Sequence, residues 1–110
     1  MTGSRFLAAG LAERLGAEPF PVGTPEAARS VGWSEELALA LPGLREMSER
    51  YDRVLPAGAV PVTALSRCAV ALATLPVVAA HRTDAVVVWF DAHADLNTPD
   101  TTSTGSAVWL

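Results

Sequence analysis

The sequence predicts an α/β layered domain in which a parallel sheet is covered by helices, and three observations carry that prediction. Residues 83–90 end in an uninterrupted apolar, β-branched run, Ala-Val-Val-Val-Trp-Phe. A strand apolar on both faces is one buried on both sides, as in a parallel sheet flanked by helices. Two helix-period segments, 34–55 and 67–80, precede it and alternate with a short strand-like stretch at 59–65, which is the order of a layered α/β chain. After Asp95 the composition turns to Thr, Ser, Asn, Gly and Pro. A loop at the carboxyl end of a buried parallel strand is where open α/β sheets place their ligands.

Each element has a local reason. Phe6, Leu7, Leu11 and Leu15 recur near the helical period, so 5–15 reads as one amphipathic helix with Gly16 at its C-terminal end and Ser4 or Thr2 at its start. Residues 18–22 carry Pro19 and Pro21 and belong to an edge or a loop. Gly23-Thr24-Pro25 marks a turn. Ser34 is placed to cap the second helix, with Glu35 and Glu36 in its electropositive first turn. Leu37, Leu41, Leu44, Met47, Tyr51 and Leu55 continue its apolar face to Gly58, while Pro42 predicts a kink or a split. The strand at 59–65 contains Pro61, which removes one ladder donor. The helix at 67–80 is strongly apolar, and Pro76 predicts a kink or an early end.

The chain has 110 residues, half of them hydrophobic, with a mean hydropathy of +0.28. This composition is that of one folded domain, 1–110, and not of a disordered chain. The net charge of −4 and eight scattered arginines, with no lysine, argue against a nucleic-acid partner, because phosphate recognition needs a basic stripe. Arg67 and His81 bracket the longest apolar stretch, so no membrane span is expected. Glu13 and Arg14 interrupt the N-terminus before a signal-type apolar core can form. The single cysteine, Cys68, cannot form an internal disulfide, and a cytoplasmic location is the expectation.

At the end of the apolar run stand Asp91, His93 and Asp95. Alternate residues of an extended backbone project from one face, so the three side chains can converge just beyond the strand's end. Two carboxylates and an imidazole suit manganese, with zinc or iron less well matched. Two other readings stay open: turn-forming residues bonded to local backbone, and a proton-transfer or nucleophile system. The latter lacks support, because no serine sits in a strand-turn-helix elbow and Cys68 has no evident base beside it.

The stretch Asp91-Ala92-His93-Ala94-Asp95-Leu96-Asn97-Thr98-Pro99, followed by Thr102-Ser103-Thr104-Gly105, resembles the signature of the arginase/agmatinase (ureohydrolase) family, D-A-H-x-D-x-N-T-P followed by a threonine-serine stretch and glycine. The resemblance implies a three-layer α/β/α sandwich with a parallel sheet, of which these residues would form the N-terminal part. It implies a binuclear Mn2+ centre whose activated hydroxide attacks a guanidino or amidino carbon and releases urea. By the same resemblance Asp91 bridges both ions, His93 and Asp95 each hold one, and Asn97 and Thr104 contact the amino-acid end of a guanidino substrate. A local turn is the other reading of Asn97 and Thr104. Family members usually assemble as trimers or hexamers, so a homo-oligomer is implied for a full-length protein.

The match is weaker upstream. Leu65-Ser66-Arg67-Cys68 stands where the family usually has G-G-D-H, whose histidine is a metal ligand. Cys68 is therefore either a soft ligand, better suited to zinc or iron than to manganese, or a neutral buried thiol. Arg67 replaces an acidic residue, and Val108 stands where many members have a histidine. His81 reads as a solvent-facing residue at a helix C-terminus, and Trp33, Trp89 and Trp109 as packing residues. The family's second metal motif, S-x-D-x-D, does not occur in these 110 residues. The expectation is thus a marginal monomer or a piece of a longer reading frame, binding manganese weakly and inactive alone. Two functions of different class follow: a manganese-dependent ureohydrolase module, or a catalytically incompetent remnant that acts as a metal-binding or interaction module.

Overall fold

The computed structural model describes residues 3–24, 31–65 and 67–90. Four α-helices and one 3-10 turn make up its regular structure: α1 (Gly3–Ala8), α2 (Leu11–Leu15), α3 (Trp33–Val54), a 3-10 turn (Cys68–Val70) and α4 (Ala71–His81).

The single helix expected over 5–15 is two short ones. Gly10 adopts φ 82° between them, a left-handed conformation that ends the first turn sequence and restarts the second. The expected end is found, because Gly16, also left-handed, closes α2 by donating to the Glu13 carbonyl. The entry of α1 lies hard against the 59–65 segment. A Cβ built on Gly3 falls well inside van der Waals contact with the Ala64 carbonyl oxygen. Gly3→Ala is therefore expected to lower stability by about 1–3 kcal/mol, the usual range for forcing extra volume into a packed site. A thermal melt showing an unchanged midpoint would mean that this approach is not maintained.

α3 begins at Trp33 behind Gly32, without a side-chain cap, so Ser34 does not serve as the cap. Glu35 and Glu36 do occupy the first turn. The helix neither splits nor stops at Pro42, which lies inside it. Pro42 cannot donate to the Ala38 carbonyl, but both residues are exposed, so water can take the place of the missing donor. Pro76 is likewise exposed within α4, while Leu72, whose carbonyl it leaves without a donor, is half-buried. The helix expected at 67–80 thus runs through the proline to His81, after entering by a 3-10 turn.

α3 and α4 form the principal packing unit. Ser48 donates to the Ala73 carbonyl at 2.8 Å, and Asp52 meets His81 at 2.6 Å. Contacts therefore advance in the same direction along both helices, and the two have the same polarity. That polarity is what a helix–strand–helix unit on one side of a parallel sheet requires. Tyr51 and Ala73 are the buried apolar residues among those described, with Thr74 beside them. The Tyr51 hydroxyl lies 2.6 Å from the Thr63 hydroxyl and ties 59–65 to α3.

Among the described residues there is no β-strand, which corrects the expectation for 59–65 and 83–90. The second segment is not buried on both faces: Val86 is 85% exposed and Phe90 93%. The reason is physical. A strand exists only as part of a ladder, and no described segment offers these residues a hydrogen-bonding partner. The turn before it is well defined, with Ala85 N–H donating to the Arg82 carbonyl at 3.0 Å. Arg82 also donates through Nε to the Asp84 carboxylate at 3.1 Å. This bond, then the backbone N–H of Asp84 itself and the guanidinium charge, hold the Asp84 carboxyl below its ordinary value. A lowered folded-state value means that the pair favours the folded turn above the ordinary carboxylate range. That contribution fades as pH falls through the lowered value. NMR titration of the Asp84 carboxyl should give a midpoint below 3.8, and Arg82→Gln should move it back up.

Candidate metal centre

The residues expected to hold metal and substrate, Asp91, His93, Asp95, Asn97 and Thr104, lie outside the described residues. The structure does describe the segment that precedes them and the helix entry where Cys68 stands. The apolar run 85–90 leads out of the Arg82–Asp84 turn directly into Asp91. Trp89 is about one-third exposed, while Trp109 lies outside the described residues.

Cys68 opens the 3-10 turn that leads into α4. Its thiol is free and exposed, so the reading as a neutral buried thiol is corrected. Cys68 lies in the 3-10 turn at the entry of α4, and its chain neighbours Arg67 and Ala69 are exposed as well, so nothing local covers it. Arg67 precedes it in extended conformation, φ −146° and ψ 145°. Its guanidinium forms an ion pair with Glu36 in the first turn of α3. The arginine that departs from the family pattern thus has a local partner, and the pair braces the start of α4 against the start of α3. Both side chains are largely exposed, so the brace contributes at most about 1 kcal/mol.

At the opposite end of the two helices His81 is not simply solvent-facing. It is the last residue of α4, its side chain is 30% exposed, and its Nε2 lies 2.6 Å from the Asp52 carboxylate. Two same-direction helices bring their C-terminal parts together here, which places the imidazole beside a carboxylate. No signal in the linear sequence pairs residues 29 positions apart. Among the described residues no group of three or more His, Cys, Asp or Glu side chains is positioned to hold a metal ion. No helix among them is long and apolar enough to cross a membrane.

Comparison with known proteins bears on the chain as a whole. The family model described as "Arginase family" matches residues 21–108. N(omega)-hydroxy-L-arginine amidinohydrolase of Streptomyces lavendulae is 39% identical over 103 residues, which is 94% of this chain and 38% of that protein. Mitochondrial arginase-2 of Oryctolagus cuniculus is 42% identical over 62 residues, 56% of this chain and 18% of the relative. Human mitochondrial arginase-2 is likewise 42% identical over the same length. The chain thus spans less than two-fifths of the length of these relatives. No solved structure gives a significant match. With the family model covering most of its length and the aligned identity running almost from end to end, the chain belongs to the arginase family.

Proposed function

We propose that this chain supplies part of a binuclear manganese site in a ureohydrolase. The reaction cleaves a guanidino C–N bond of an arginine-like substrate and releases urea. The observation that carries this reading is the sequence Asp91-Ala92-His93-Ala94-Asp95-Leu96-Asn97-Thr98-Pro99, which falls within the span matched by the family model. Support for a guanidino substrate comes from the relatives, one named an N(omega)-hydroxy-L-arginine amidinohydrolase and others named arginase-2.

The donor chemistry fits manganese. Carboxylate oxygens and a neutral imidazole are ligands of the hardness that Mn2+ accepts. Asp91, with two carboxylate oxygens, would be able to hold both ions, whereas His93 and Asp95 would each hold one. When bound, paired dications lower the pKa of water and stabilise negative charge developing on the attacked carbon's substituents. Asn97 offers an amide and Thr104 a hydroxyl, groups able to hydrogen-bond the carboxylate and amino end of an amino acid. The exposed Cys68 thiol does not fit manganese, being a softer donor suited to zinc or iron.

A second reading, a remnant of the fold without hydrolytic activity, is favoured by one observation. At Leu65-Ser66-Arg67-Cys68 the family's usual histidine is replaced by the exposed cysteine. Calorimetric titration of the chain with Mn2+, with urea release from L-arginine and its N-hydroxy derivative assayed in parallel, tests both. Saturable manganese binding is expected. Its absence at millimolar metal would overturn the metal-site proposal, while urea release from either substrate that disappears in Asp91→Ala would overturn the remnant reading and the expectation that these residues are inactive alone.

A further inference from the structure

We draw no further inference here: the strongest candidate, the open apolar groove between α3 and α4 lined by Leu37, Leu41, Leu44 and Leu72, carries nothing because nothing in the structure shows what covers it.

Discussion

Tyr51→Ala is expected to destabilise the chain by about 3 kcal/mol or more, the low end of the range for removing a buried aromatic ring. Tyr51 is 9% exposed and, with Ala73, is one of two buried apolar side chains among the described residues. Its ring is buried where α3 meets the 59–65 segment, and its hydroxyl meets that of Thr63 at 2.6 Å. Truncation removes both the packing and the tie. A small domain's whole stability is about 5–15 kcal/mol, so a loss of this size removes much of what holds the helices together. Tyr51→Phe separates the two contributions, because it keeps the ring and deletes the bond. It should cost only about 1 kcal/mol, the net value of a single part-buried hydrogen bond. Urea denaturation followed by the helical circular dichroism signal measures both variants. If Tyr51→Ala unfolds at the same urea concentration as the parent chain, the helix pair is not organised around this residue.

Asp91→Ala is expected to weaken manganese binding by at least about 100-fold. Loss of residues that merely support metal ligands already costs about 10- to 100-fold, and a carboxylate shared by two ions has more to lose. Asp91→Asn is the sharper variant, since it keeps size and one oxygen donor while removing the charge. It should bind manganese more weakly than the parent and more tightly than the alanine variant. Both variants should keep the parent's helical signal, because α1 to α4 all precede residue 91. Any urea-forming activity of the protein should fall with the affinity. Equal manganese affinity in parent and Asp91→Ala would remove Asp91 from the site, and with it the reading of the alternate Asp-His-Asp spacing.

Local rules were read correctly where the determinant is local. Gly16 ends α2 because only a residue without a Cβ enters the left-handed region at little cost. The apolar spacing from Leu37 to Tyr51 located α3, and the acidic first turn lies where the dipole favours it. The same rules failed where tolerance depends on surroundings. Pro42 predicts a kink or a split and Pro76 a kink or an early end, yet each proline lies on the surface and its helix continues through it. Gly10, within the single helix expected over 5–15, instead divides it in two. At 59–65 and 83–90 propensity makes a segment suited to a sheet, but a strand requires neighbours, and no described segment supplies one. At the candidate site the donor types and their alternation were legible in Asp91, His93 and Asp95, whereas the exposure of Cys68 and the pairing of Arg67 with Glu36 were not.

By itself, then, the order of residues determined membership of the arginase family, the three successive metal-donor candidates, and the positions of the two longer helices. These depend on identity and spacing over a few residues. Tertiary structure alone decided that α3 and α4 run in the same direction, that Tyr51 reaches Thr63, and that His81 meets Asp52. Those contacts join residues separated by 12 and 29 positions. At such separations the outcome is set by how whole faces pack and how the chain between them turns, quantities that no short-range pattern encodes.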